Sequence, residues 1–166
     1  MAAVTLFAGE KLTAALLLSL LPVGIVKPSD QSLTSNTTLQ NDNDLVVSLQ
    51  ANTSYHFECF LDYEGGTAGA ADIKWGWTLP AGITLRYIAL YENLTPTLAG
   101  AVTWGSADVV QAQSNGAGNR RGIFMNGACT TVSAGNMQLQ WAQNTSSATA
   151  TIVHANSKLV VVPLPT

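Results

Sequence analysis

The chain has few residues from which chemistry could be assembled. His56 and His154 are its two histidines, and Cys59 and Cys129 its two cysteines. A nucleophile–base pair needs a serine or cysteine, a histidine and an orienting acid. His56 and Cys59 stand three positions apart in YHFECFLDY, a segment that alternates as a strand. On a strand, three positions apart means opposite faces, so they do not form a local dyad. The same parity breaks a zinc site built from His56, Cys59, Cys129 and His154, and no C-x-x-C spacing is present. No metal is expected. Asp42, Asp44, Asp62 and Glu64 are the acidic candidates. The run Asn41–Asp44 lacks the glycine and distal glutamate of a calcium loop and reads as an acidic turn. No cofactor is implied, and the two cysteines are expected as free, buried thiols. The chain is read as a non-enzyme.

Tryptophan offers a binding chemistry. Trp75, Trp77, Trp104 and Trp141 could stack on sugars. Three of them, Trp75, Trp77 and Trp141, fall on apolar strand faces and are assigned to the core. Trp104, beside Gly105, is the candidate for exposure.

The elements that hold these residues are strands. Leu45–Gln50, Tyr55–Tyr63, Asp72–Leu79 and Ile83–Glu92 alternate with period two. Ile83–Glu92 is apolar on both faces, as fits a strand covered on both, at a sandwich centre or a subunit interface. Thr95–Gly100 reads as a loop, with short strands at Ala101–Trp104 and Asp108–Ala112. Asn126-Gly127 signals a hairpin between Gly122–Met125 and Ala128–Val132. Met137, Leu139 and Trp141 mark another strand, and Thr149–His154 and Lys158–Val162 a last hairpin. Turn signals recur every 8–12 residues, as in an all-β sandwich, with a jelly-roll-like arrangement expected. The domain expectation is a docking arm over 1–27 and a β-sandwich over 28–166.

The arm carries the sequence's sharpest feature. Thr13 is placed to cap a short helix through Ala14, Ala15 and the leucines, and Pro22 stops it. About two turns are unstable alone in water, and this helix is apolar all round, so it needs a partner surface. The uncharged run Leu12–Val26 is shorter than the roughly 18–20 residues of a spanning helix and is broken by Pro22 and Gly24. A signal peptide is disfavoured by Glu10 beside Lys11 and by the lack of a small-x-small site before Lys27. Phe7, Leu12, Leu16, Leu17, Leu20 and Leu21 are the docking candidates.

Composition supports a covered surface. The 166 residues are 47% hydrophobic and 10% charged, against a usual charged share of about 25%. Permanent neighbours would cover such a surface, as in an obligate oligomer. The net charge of −3 and the absence of a basic run argue against nucleic acid.

The pattern of Phe7, Ala8, Gly9, Leu12, Thr13, Ala14, Ala15, Leu17, Leu20 and Pro22 resembles the N-termini of small structural proteins of tailed bacteriophages, especially those of actinobacterial hosts. Leu16 and Leu18 replace a glutamine and an asparagine often found there, so Thr13 lacks the glutamine of a capping box. The closing stretch LQWAQNTSSATATIVHANSKLVVVPL is also similar to the last strands of such proteins. The resemblance implies a virion component, and the expected partners are itself, as a homotrimer, and the major capsid protein or other virion subunits. One compact domain with a docking arm is enough to sit on a lattice, which favours the capsid surface over the tail. A capsid decoration protein is the leading expectation. A minor tail or tail-fibre protein with a glycan-binding sandwich is the alternative.

Overall fold

The structure, a computed structural model, describes residues 13, 21–66, 71–92, 98–103 and 109–164. Two antiparallel sheets pack face to face. The strands are β1 (Val23–Val26), β2 (Gln31–Leu33), β3 (Gln40–Leu49), β4 (Ser54–Glu64), β5 (Ala71–Thr78), β6 (Thr84–Glu92), β7 (Leu98–Thr103), β8 (Val110–Gln113), β9 (Arg121–Thr130), β10 (Gly135–Gln143), β11 (Thr151–Val153) and β12 (Lys158–Pro163). The large sheet runs β1-β12-β4-β9-β6-β7, with β11 beside β4 and β2 beside β11. The small sheet runs β3-β10-β5-β8.

The pairings are nested. β1 pairs β12, β3 pairs β10, β4 pairs β9 and β5 pairs β8, all antiparallel. A long hairpin rolled across two sheets gives this pattern, and the two sheets make the β-sandwich expected from the alternation. The hairpin β6–β7, inserted between β5 and β8, extends the large sheet beyond β9. The last residues of the expected arm, Val23–Val26, form the opposite edge strand of that sheet. The expected helix lies outside the described residues, as do Phe7, Leu12, Leu16, Leu17, Leu20 and Trp104.

Alternation fixes the core. Tyr55, Phe57, Cys59, Leu61 and Tyr63 of β4 point inward, against Ile73, Trp75 and Trp77 of β5 and Met137, Leu139 and Trp141 of β10. Phe57 meets Trp77 edge-on at 5.6 Å and Tyr87 at 5.9 Å between ring centroids, a geometry that adds about 0.5–1.5 kcal/mol per pair beyond area burial. The three tryptophans read as core are buried, so they offer no sugar platform.

Five local expectations are corrected. Asn126-Gly127 is no hairpin: β9 runs straight through it, paired with β4 and β6 on either side. Gly127 stands between Phe57 and Tyr87, and a Cβ there would lie 2.3 Å from the Arg86 carbonyl oxygen and 2.5 Å from Tyr87 Cβ. The glycine serves a close strand approach, as interior strand glycines often do. Asn41–Asp44 is likewise no free turn but a bulge in β3. Five residue steps from Asn41 to Val46 oppose two from Gln140 to Gln138, and the Asp42 side chain accepts the backbone N–H groups of Asp44 and Leu45 at 3.0 Å.

The last hairpin is also absent. β11 and β12 both run antiparallel to β4 and lie end to end along it, separated by a kink at residues 154–157. Thr95–Gly100 is not all loop, because β7 already begins at Leu98. Finally, Ile83–Glu92 is no sandwich centre, because within this chain one of its faces alone is covered. Leu85, Tyr87 and Ala89 are buried, while Ile88 is exposed on the outer face. By contrast, Pro80-Ala81-Gly82 turns as read, with Gly82 at φ 73°, the left-handed conformation that favours glycine.

Candidate docking surface

The described surface begins where the arm enters the sandwich. Leu21, Val23 and Val26 are 48%, 47% and 59% exposed. They form an uncharged ridge leading into the edge strand β1. Of the docking candidates, Leu21 alone falls among the described residues, and it lies on this ridge.

Directly after the ridge the chain is fastened. Lys27 is 1% exposed. Its Nζ donates to Asp42 Oδ1 and Oδ2 at 3.0 and 3.1 Å, to Asp44 Oδ2 at 2.9 Å and to Gln31 Oε1 at 3.2 Å. Asp42 Oδ2 also accepts the Trp141 indole N–H at 3.1 Å. An ammonium has three protons to give, and four acceptors surround it here. This saturated cluster joins the end of β1 in the large sheet to the bulge of β3 and to β10 in the small sheet. Its chemistry is that of a clamp, holding the arm's base to both sheets. The sequence reading missed it. The signal was a lone lysine closing an uncharged run, with an Asp-x-Asp fifteen residues on.

The outer face of the large sheet continues the apolar character. One cross-strand row contains Val26, Lys158, Phe60, Phe124 and Leu90. Phe124 and Ile88 are exposed. A shallow depression of about 300 Å³ lies beside Ile88, lined also by Arg86, Tyr87, Asn126 and Gly127. In the next row Asn126 Nδ2 is 3.0 Å from His56 Nε2 and donates to Glu58 Oε1 at 3.3 Å. His56 therefore faces outward while Cys59 faces the core, as the strand parity predicts.

A second polar cluster fastens the kink at 154–157. Ala155 N–H donates to Asp30 Oδ1 at 2.7 Å, and His154 Nδ1 lies 3.1 Å from Asp30 Oδ2. The Ala155 amide first, and then His154, hold the Asp30 carboxyl below its ordinary range. His154 Nε2 lies 3.5 Å from Glu64 Oε2. Nearby, Arg120 grips Asp62 with two donors, Nε to Oδ1 at 2.9 Å and the second from Nη2 to Oδ2. That hydrogen bond raises the Arg120 pKa further. Ser157 Oγ accepts the Asp62 backbone N–H at 3.0 Å. Asp62 and Arg120 thus form a fork-to-fork pair.

Both cysteines are free and buried. Burial pushes both thiols up, Cys129 to about 11 and Cys59 further, so neither presents the thiolate that nucleophilic chemistry requires. Among the described residues no group of three or more His, Cys, Asp or Glu could hold a metal ion. No described helix is long and apolar enough to cross a membrane.

No family model and no curated protein matches the chain. Among solved structures, it is similar to the infectious bursal disease virus Gt strain structure, with 11% identity and a TM-score of 0.23 over 87% of this chain and 42% of that one. It is also similar to the infectious bursal disease virus VP2 subviral particle, with 9% identity and a TM-score of 0.23 over 86% of this chain and 42% of that one. The chain thus spans less than half the length of either. An overlap of this degree does not specify function.

Proposed function

We propose that this protein is a virion structural protein, and within that class a capsid decoration protein that docks on the capsid lattice through its N-terminal arm. The observation that carries the reading is the join between arm and body. The uncharged stretch ending at Leu21 runs straight into an edge strand, and Lys27 ties that strand to both sheets. A segment anchored so firmly transmits load from whatever binds it to the whole sandwich. The sequence resemblance at both ends supports the virion setting, and jelly rolls are a common capsid architecture. The mechanism is burial of apolar area between the arm and capsid subunits, at about 25 cal/mol per Å². Ordering of the arm on docking offsets part of that gain.

The test is co-sedimentation with particles that lack the protein, using the full chain and a chain without residues 1–20. The full chain is expected to pellet with particles, and the truncated chain to stay folded in the supernatant. Equal binding by the two overturns arm-mediated docking. Unfolding of the truncated chain would place the arm in the sandwich's own core and overturn it as well.

A further inference from the structure

Among the described residues β1 leaves an open sheet edge. Its one strand partner among them is β12, with Val23 opposite Val161 and Val26 opposite Lys158. Just past β1, Lys27 N–H donates to the Ser157 carbonyl and the Lys27 carbonyl accepts Asn156 N–H, so both backbone groups of Lys27 face the β12 side. Along a strand these groups alternate in direction. Ile25 and Val23 therefore also face β12, and Gly24 and Val26 face away. The parity is consistent on the far side of β12, where Leu164 N–H reaches the Ser54 carbonyl at 2.8 Å. Among the described residues nothing pairs with the N–H and C=O groups that Gly24 and Val26 present.

Exposed edges are normally protected by charge, by proline or by a covering element. Here Leu21 to Val26 carries no charge, and Lys27, the first charged residue after it, is buried in the clamp. Pro22 and Pro28 bracket the edge, leaving Gly24 and Val26 as the donors between them. The midpoint of those two is Ile25.

We propose that this edge pairs with the same edge of a second copy, β1 against β1 antiparallel about a two-fold axis at Ile25, joining two large sheets into one. In this register Gly24 of each copy stands opposite Val26 of the other. Every N–H and C=O of the two residues is then bonded, four hydrogen bonds in all. A shift by two residues would set Val26 or Gly24 against a proline, which has no N–H to give. Side chains fit the same register. A Cβ at Gly24 would meet nothing nearer than Val160 Cγ2 at 3.8 Å. That gap beside Val160 receives the exposed Val26 of the other copy, and the two Ile25 side chains meet on the core side. Such a contact is isologous and closes on itself. It predicts two copies, or an even multiple, in place of the expected homotrimer.

The experiment is mass measurement by light scattering on the purified full chain, with two variants. The wild type should show twice 17.4 kDa. Val26→Lys places a charge on the edge and should give a monomer with unchanged circular dichroism. Ile25→Cys should cross-link under mild oxidation, because directly opposed residues of a non-hydrogen-bonded antiparallel pair have Cα atoms about 4.5 Å apart, within disulfide reach. A wild-type monomer or trimer overturns the proposal. So does a dimer that survives Val26→Lys, or one that Ile25→Cys does not cross-link. No particle is present in this experiment, so its failure leaves docking by the arm to be judged separately.

Discussion

Two ion pairs hold two parts of this molecule, and they differ chiefly in water. Lys27 and Asp42 both have fully buried side chains, whereas Arg120 is 50% and Asp62 23% exposed. The first ties the base of the arm to both sheets. The second ties the loop before β9 to the end of β4. Each has a specific geometry, but only the buried pair leaves an uncompensated charge in a dry interior when one partner is removed. The exposed pair, despite its two-donor grip, is screened by solvent. The base of the arm is thus fastened by a contact that is expensive to break.

Mutation at the buried pair should produce the largest effect. Lys27→Met is expected to lower unfolding free energy by about 3–5 kcal/mol, read from urea denaturation. Adding Asp42→Asn should restore part of it, since the asparagine still accepts hydrogen bonds without a stranded charge. Next comes Gly127→Ala, which forces a methyl group against the Arg86 carbonyl and should cost about 1–3 kcal/mol by overpacking. A thermal midpoint unchanged by this substitution would contradict the close approach of β6 and β9. Arg120→Ala should shift the urea midpoint far less than either, because solvent screens its pair. An equal loss in Arg120→Ala and Lys27→Met would remove the contrast between the two pairs.

The cluster at the kink of residues 154–157 responds to pH. The Asp30 carboxyl is held below its ordinary 3.8 in the folded state. Its contribution is present above that value and is lost as pH falls through the lower folded one. Asp30→Asn should therefore remove a small stabilisation at neutral pH and leave stability near pH 2 unchanged, in paired melting curves. The thiols give the mildest test. Cys59 and Cys129 should resist a thiol reagent in the native protein and react together once denatured, because burial holds both protonated.

Much of the sandwich was legible, because period-two alternation reports burial directly. Tyr55 to Tyr63 alternates in structure as it does in sequence, and so do Ile73, Trp75 and Trp77. Short turn signals were less reliable, and for one physical reason. Asn-Gly and the Asn-Asp run describe what a local segment prefers, while neighbouring strands decide whether that preference is used. At Gly127 the demand was space between Phe57 and Tyr87. At Asp42 the demand was a carboxylate for Lys27, met by a bulge that keeps the turn's hydrogen bonds inside a strand. The clamp itself was hidden because its members are distant in sequence and each is unremarkable alone. The open edge of β1 was hidden too, since exposure of backbone groups depends on which strands lack a neighbour.

The most direct test of the central claim is gold-labelled antibody against this protein on intact virions, viewed by electron microscopy. Labels distributed over the head are the expected result and would make the contact between arm and capsid the next target. Labels confined to the tail, or none on any part of the particle, would contradict the decoration reading.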